Sequence, residues 1–357
     1  MLMTFLIFLT MPLNTSKNFK TSPKVSIVIP TLNSAKVIKK CLDSIVIQKY
    51  TNYEILICDG GSTDETLKIS KKYNCKILKN KLKTAEAGKA IGLKNALGKY
   101  IAFIDSDNIL PTTNWLSEMI NPLEYDNTII GSEPWEFTYR KSGGFIERYN
   151  TLIGANDPYA YITGISDRKN YINHRWTSQK LETQDKSTYL KITLMPRQTI
   201  PTIGANGTVF RASFLKSQPP TDYLFDIDTI SSALIKNSKP LYFAKTKNSI
   251  IHTYCESSIP KFYKKQMRRL KDYYHYKSIR KFNYQNTFSF TNIKFGLYTI
   301  LIIPMLITTI KGIIKKPDIA WLFHPIACFI TLYCYTSVSM LYLFGFNIAQ
   351  SRQKWQQ

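Results

Sequence analysis

The apolar positions in the first third of the chain fall into short unbroken runs rather than helical stripes. Val25-Ser-Ile-Val-Ile29, Glu54-Ile-Leu-Ile-Cys58 and Tyr100-Ile-Ala-Phe-Ile104 are rich in β-branched and aromatic residues, and each stops at a proline, a glycine pair or a carboxylate. Such runs read as strands buried on both faces. Pro30-Thr-Leu-Asn33 closes the first, and the next stretch reads as a helix through about Gln48. Asp59-Gly-Gly-Ser-Thr-Asp-Glu-Thr66 closes the second, where the glycines permit tight backbone approach and Ser62 or Thr63 is placed to cap the next helix. Buried strands alternating with helical stretches predict an α/β fold, a mostly parallel sheet flanked by helices, in which ligands gather at the carboxyl ends of the strands. Asp59 and Asp105 both lie at such ends.

The pattern changes after residue 255. Lys261 to Lys294 holds ten Lys and Arg against the single acid Asp272, interleaved with Phe262, Tyr263, Tyr273, Tyr274, Tyr276, Phe282 and Tyr284. With a net charge of +24 for the whole chain, that composition suits phosphate neutralisation and base stacking, or attraction to an anionic membrane surface. Two apolar runs toward the C-terminus favour the membrane, and nucleic acid is not the expected partner. Phe295 to Ile310 is nearly all apolar, and Ile319 to Ala349 has only His324 and Asn347 as strongly polar members. The longer run exceeds the roughly 20 apolar residues that cross a hydrocarbon core. The shorter one carries Pro304 and reads as a tilted span, a re-entrant helix or an in-plane helix. Arg352 and Lys354 would share the cytoplasmic side with the basic stretch if the two runs formed a hairpin, whereas Lys311, Lys315 and Lys316 in the connection oppose one. The expected organisation is an apolar segment at 1–20, interfacial or disordered; a main domain at 21–255 with halves at 21–131 and 132–255; basic aromatic membrane-surface helices at 256–294; hydrophobic membrane helices at 295–349; and a polar tail at 350–357.

Asp105-Ser106-Asp107 supplies the chemistry. Two hard oxygen ligands at a strand end suffice for magnesium or manganese, which keep several waters and complete their shell with substrate phosphate. The competing reading is a solvated strand-end turn, and the neighbouring blocks decide between them. Val25 to Asn33, Ile57-Cys-Asp-Gly-Gly-Ser-Thr-Asp-Glu-Thr66, Gly92-Leu-Lys-Asn-Ala-Leu-Gly98 and Tyr100 to Asn108 together resemble the inverting family-two glycosyltransferases with the GT-A nucleotide-sugar fold, over roughly a third of the chain. The resemblance implies an enzyme that uses a divalent cation, manganese or magnesium, to transfer a sugar from a UDP- or GDP-linked donor. With the C-terminal runs, it implies a lipid-linked or other membrane-associated acceptor and a catalytic domain on the cytoplasmic face. The first half would hold the nucleotide sugar and the second the acceptor. Six cysteines scattered without ligand spacing fit reduced thiols in that compartment. Met1 to Leu13 lacks the basic start of a signal peptide.

The resemblance also assigns roles. Pro30 and Asn33 fall on the donor side, and Asp59 matches the first aspartate of the family's D-D-G-S block, with Gly60 in place of the second. Lys89 stands where the family often has an arginine facing the diphosphate. Asp107 is the expected metal ligand and Asp105 a contact to ribose or metal-bound water, with His252 a further candidate ligand for metal or phosphate. Thr202 to Arg211 resembles the acceptor loop, which brings in Gly204, Asn206 and Gly207. Leu224-Phe-Asp-Ile-Asp-Thr-Ile230 resembles the family's E-D motif with Ile227 in place of the glutamate, so Asp228 is the first candidate general base and Asp226 the second, unless either merely caps the helix. Gln266-Met-Arg-Arg-Leu270 resembles Q-x-x-R-W with leucine for tryptophan, and offers Gln266 and Arg269 as donor or acceptor contacts. Residues 133–201 read as a variable acceptor-side insertion in which Asn156, Asp157 and Arg168 are candidate contacts. The degraded motifs leave an alternative, a catalytically silent membrane- or RNA-binding protein on the same fold.

Overall fold

The structure, a computed structural model, describes residues 23–204, 206–278, 280, 290–346 and 348. The apolar segment 1–20, Phe282, Tyr284, Asn347, Ala349 and the polar tail with Arg352 and Lys354 lie outside the described residues. The first half contains β1 (Val25–Thr31), α1 (Ala35–Val46), β2 (Tyr53–Asp59), α2 (Thr66–Lys71), β3 (Lys76–Lys79), α3 (Ala85–Asn95), β4 (Tyr100–Phe103), the short β5 (Asn108–Ile109) and α4 (Trp115–Tyr125). Then come β6 (Ile129–Phe137), α5 (Phe145–Ile153), α6 (Pro158–Thr163), the hairpin of β7 (Glu182–Asp185) and β8 (Tyr189–Leu194), β9 (Thr208–Arg211), α7 (Ala212–Lys216), α8 (Asp226–Asn237) and β10 (Leu241–His252). The chain closes with α9 (Ile259–His275), α10 (Phe290–Ile300), α11 (Ile303–Lys315) and α12 (Phe323–Leu343), the last entered through a 3-10 turn at Ile319–Leu322.

The ten strands form one mixed sheet in the order β3-β2-β1-β4-β9-β6-β10-β8-β7, with β5 beside β10. The β3-β2-β1-β4 half is wholly parallel, as the unbroken apolar runs require. Every residue of β1 is buried. Val25, Ile27 and Ile29 enter a core shared with Ile38 and Leu42 of α1 and Met119 of α4, while Val28 faces Ala90 of α3 and Phe210 of β9 on the other side. The cap expected of Ser62 or Thr63 falls elsewhere. The Asp64 carboxylate accepts from Thr66 N at 3.0 Å, because Ser62 Oγ is committed to Asp59 Oδ1 at 2.5 Å.

Residues 133–137 complete β6, and the rest of 133–201 contains α5, α6 and the β7-β8 hairpin. Helices α5 and α6 share a core with the C-terminal helices, where Tyr149 and Tyr159 meet Phe262, Phe295, Trp321 and Phe323. Polar ties fix the same junction: Arg148 Nε to Asp318 Oδ2 at 2.9 Å, Tyr139 OH to Asp318 Oδ2 at 2.6 Å, and Tyr149 OH to His324 Nδ1 at 2.8 Å. The run expected at Phe295 to Ile310 is two helices, α10 and α11, that meet at 80°, just before Pro304, whose missing N–H cannot continue the helical ladder. The 3-10 turn and α12 together, Ile319–Leu343, are long and apolar enough to cross a membrane.

Helix α3 lies close on β1 because Gly92 has no side chain: a Cβ there would stand 2.2 Å from Val28 Cγ1. That approach positions Lys89, three residues earlier. Gly92→Ala is expected to destabilise the fold by about 1–3 kcal/mol, the usual cost of overpacking, and to lower the midpoint of thermal unfolding. An unchanged midpoint would mean that α3 is not pinned to β1.

Candidate active site at the carboxyl ends of the strands

After β1 the chain builds outward through β2 and β3 and then returns to add β4 on the other side. Strands β1 and β4 therefore flank a topological switch point, the place where open α/β sheets bind ligands. A cleft of about 730 Å³ opens there. Of the residues assigned from sequence, Pro30, Asn33, Lys89, Asp105, Asp107, Asn156, Asp157, Asn206, Asp226, His252 and Arg269 line it. Asp59, Arg168, Gly204, Gly207, Asp228 and Gln266 are not among the lining residues.

Asp107 faces the Lys265 ammonium and the His252 ring. Its Oδ2 accepts from Lys265 Nζ at 3.3 Å, and its Oδ1 lies 3.5 Å from His252 Nε2. Burial works against the charge of this carboxylate, but Lys265 and then His252 outweigh it and hold the group well below the usual carboxylate range. Thr253 N donates to Asp107 O at 3.1 Å and ties the end of β10 to this loop. The loop is held from inside by Asn108, which accepts from Asp105 N at 2.9 Å.

Asp226 opens α8 on the opposite wall. Its Oδ2 accepts from Lys89 Nζ at 2.5 Å, while its buried Oδ1 has no hydrogen-bond partner among the described residues. Burial pushes this carboxyl up to about 6; Lys89 pulls the other way, and Asp105 adds to the rise. Lys89 is itself fully desolvated, which opposes its charge, yet Asp226 and Asp105 keep it a cation. Asp228, two residues on, instead engages Arg280, at 2.9 Å from Nε and 2.8 Å from Nη2.

Gly204, Asn206 and Gly207 sit in a loop set by a buried charge cluster. Glu133 Oε2 binds Arg168 Nη1 at 2.8 Å and Lys245 Nζ at 2.7 Å, with all three side chains fully buried. Its Oε1 accepts from Gly204 N at 2.9 Å and Thr208 Oγ1 at 3.1 Å. Arg168 also donates to Asn206 O at 3.1 Å and pairs with Asp167 at 2.6 Å. Burial lifts Asp167 to about 6 and lowers Lys245 to about 8, while Arg168 and Lys245 overcome burial to keep Glu133 ionised. Arg168 thus braces the loop from behind. Gly204 adopts φ +120°, and a Cβ on it would lie 2.7 Å from Asp226 Cβ, so loop and helix start are in direct contact. Gly207, at φ +86°, leaves room for Ile250 and Trp115.

Other assigned residues also carry structure. Asp59 accepts from Gly61 N, Ser62 N and Ser62 Oγ at 2.8, 2.9 and 2.5 Å, and from Thr31 Oγ1 at 3.1 Å. It holds its own loop beneath the cleft. Asn33, at φ +49°, joins that loop by accepting from Thr63 N at 2.9 Å. Gln266 is fully buried and donates to Asn156 O at 3.3 Å. Arg269 reaches the cleft and pairs with Asp157, whose other oxygen caps α6 by accepting from Ala160 N at 2.9 Å.

The sequence profile of glycosyl transferase family 2 matches residues 26–217, more than half of the chain. The chain belongs to that family. Among curated relatives it is similar to the glycosyltransferase AglE of Haloferax volcanii, 32% identical over 140 residues that cover 37% of this chain and 46% of that protein. The match thus spans less than half of that relative. Among solved structures it is similar to the mannosyltransferase PcManGT of Pyrobaculum calidifontis in complex with GDP-Man and Mn2+, at 14% identity and a TM-score of 0.49 over 94% of this chain and 91% of that one. It is also similar to Staphylococcus aureus TarS 1-349 in complex with UDP, at 15% identity and a TM-score of 0.44 over 90% and 92%.

Sequence reasoning missed several residues of this candidate site: Lys265 against Asp107, Asn108 inside the Asp105–Asp107 loop, and the Glu133–Lys245 pair beneath the loop of Gly204, Asn206 and Gly207. Lys265 sat in view, one residue before the assigned Gln266, but a helix periodicity does not say which of two neighbours faces a cleft. Among the described residues no three His, Cys, Asp or Glu side chains converge as a ready metal cage. The donor set still fits manganese or magnesium, since one or two carboxylates with diphosphate oxygens and waters complete such a shell.

Glu133→Ala would leave Arg168 and Lys245 buried without their shared carboxylate. The expected cost is about 3–5 kcal/mol, read as a lowered denaturant midpoint, and a midpoint within error of the parent would show that the cluster does not hold the loop.

Proposed function

We propose that the chain is an inverting glycosyltransferase that moves a sugar from a UDP- or GDP-linked donor to the hydroxyl of a membrane-associated or lipid-linked acceptor at the cytoplasmic membrane face. The observation that carries this reading is the pairing of unlike carboxylates across one cleft: Asp107 held ionised between Lys265 and the His252 ring, and Asp226 with its carboxyl lifted to about 6 and one oxygen unpartnered among the described residues. A manganese or magnesium ion held by Asp107, with Asp105 beside it, would neutralise charge on the leaving diphosphate.

The rest falls to the chain's own groups. Asp226, rather than Asp228, takes the role of general base, because Asp226 lines the cleft while Asp228 is held by Arg280. A carboxylate with a pKa near 6 is basic enough to accept the acceptor's proton and still ionised at neutral pH. Lys89 fixes its orientation through Oδ2 and leaves Oδ1 to receive the proton. Asn206 and Asn156, with its own buried Oδ1 unpartnered among the described residues, offer hydrogen bonds to sugar or acceptor hydroxyls. Lys265 and Arg269 place positive charge where a diphosphate would lie. The long apolar stretch Ile319–Leu343 supports the membrane location.

Asp226→Asn should retain donor affinity in calorimetry yet slow transfer by about a hundredfold or more, the range for loss of a positioned general base; a larger loss in Asp228→Asn would return the role to Asp228. In the parent, protonation of Asp226 removes the base, so the rate should fall as pH drops through about 6 and level off above it. Absence of that limb in a rate profile would remove Asp226 from the mechanism. Asp107→Ala should abolish the tightening of UDP or GDP binding by manganese, measured by titration calorimetry with and without the metal.

A further inference from the structure

Helices α10, α11 and α12 each turn one apolar face away from the protein. On α11, Ile303, Leu306, Ile307 and Ile310 are 46–66% exposed, while Met305, Thr309 and Gly312 on the opposite side are buried. On α10, Ile293, Leu297 and Ile300 face outward and Phe295 and Thr299 inward. On the 3-10 turn and α12, Leu322, Ile326, Phe329 and Tyr333 are exposed opposite Ala327, Cys328, Thr331 and Tyr335. The exposed residues recur at helical spacing, so each helix shows a stripe rather than a scatter.

We propose that these three stripes form a monotopic docking surface that enters one leaflet of an anionic bilayer without crossing it. The inference rests on the membrane reading under Proposed function and concerns how the bilayer is met. The 3-10 turn and α12 together are long enough to span, but α9 accompanies α12 along most of its length. Phe262 packs on Phe323 at 5.3 Å, Tyr263 lies 6.3 Å from Tyr333, Tyr274 OH bonds Ser339 Oγ at 2.7 Å, and the Tyr274 and Tyr342 rings stack at 4.5 Å. A spanning α12 would carry into hydrocarbon a helix that bears Lys261, Lys264, Arg268 and Lys271 and whose Lys265 and Arg269 face the polar cleft. Hydrocarbon does not accept such a helix. Helices α10 and α11, 11 and 13 residues long, are each too short to cross and are bent by 80°, which suits an elbow lying at the boundary of headgroups and acyl chains.

Charge selects the occupant. Exposed Lys294, Lys311 and Lys315 flank the stripes, as expected for contact with anionic headgroups. Two copies of a chain with net charge +24 would oppose such cations to one another across the same face. The arrangement also joins surface to site, since Tyr335 of α12 and Arg269 of α9 both line the cleft.

The test is topological. Inside-out vesicles from cells expressing the full chain with a C-terminal epitope tag are treated with protease, and a Lys315→Cys variant in a Cys75→Ser background, the other cysteines being buried, is treated with a membrane-impermeant maleimide. A monotopic chain exposes both the tag and position 315 without detergent. Protection of the tag would show α12 crossing, and protection of position 315 would show the α10-α11 elbow crossing; either overturns the proposal. In parallel, purified full chain should sediment with phosphatidylserine-containing vesicles at least tenfold better than with phosphatidylcholine vesicles. Leu297→Asp with Ile307→Asp should lose that binding while nucleotide affinity stays unchanged. Parent chain that binds neither vesicle would overturn the membrane reading itself. Parent that forms a dimer which the double variant dissociates, again without vesicle binding, would assign the face to a second copy.

Discussion

The buried cluster of Glu133, Arg168, Lys245 and Asp167 is the constraint on which the cleft depends. Charges removed from water are costly unless each finds opposite charge and hydrogen bonds, so these groups cannot be placed loosely. Glu133 comes from β6, Lys245 from β10 and Arg168 from the segment after α6, and the cluster binds all three to the loop that precedes β9 through Gly204 N, Thr208 Oγ1 and Asn206 O. Because Gly204 sits against Asp226 without an intervening side chain, fixing the loop also fixes the start of α8. The Asp226 wall of the cleft is therefore rigid for an electrostatic reason.

On that frame the two walls carry carboxylates with opposite tendencies. Asp107 and Asp226 are both largely buried, 19% and 11% exposed, yet only Asp226 is lifted. Asp107 has Lys265 and the His252 ring on separate oxygens, whereas Asp226 has Lys89 on one oxygen and the Asp105 charge close enough to oppose ionisation. One environment suits a permanently charged ligand and the other a group that exchanges a proton near neutrality. The difference between the two carboxylates thus follows from placement rather than from residue type.

Helix α9 serves both the cleft and the apolar surface. Its cleft side presents Lys265 and Arg269, and its far side packs aromatic rings on α12. The same helix fixes the distance between the cleft and the apolar surface, and the buried Gln266 bonds Asn156 O and so ties α9 to the turn before α6. An acceptor anchored in lipid would meet the cleft at a set height.

Local pattern was enough for the parallel half of the sheet: the apolar runs at Val25, Glu54 and Tyr100 became β1, β2 and β4 because a strand buried on both faces needs nothing but a continuous apolar run. The strand-end position of Asp105 and Asp107, the family and the apolar character of the C-terminal runs were legible for the same reason, since each depends on neighbours in sequence. Which side chains meet was not. Lys245 reaches Glu133 across 112 positions and Lys89 reaches Asp226 across 137, and nothing local marks such partners. Asp226 and Asp228 stand two residues apart on one helix, about 200° around its axis at 3.6 residues per turn, so only the docking of α8 decides which faces the cleft. The one-sided burial of α12 was likewise settled by packing against α5, α6 and α9. Sequence determined which elements form and what chemistry they can carry; tertiary structure decided which of those groups share a cavity, because burial and charge pairing exist only between segments that the fold brings together.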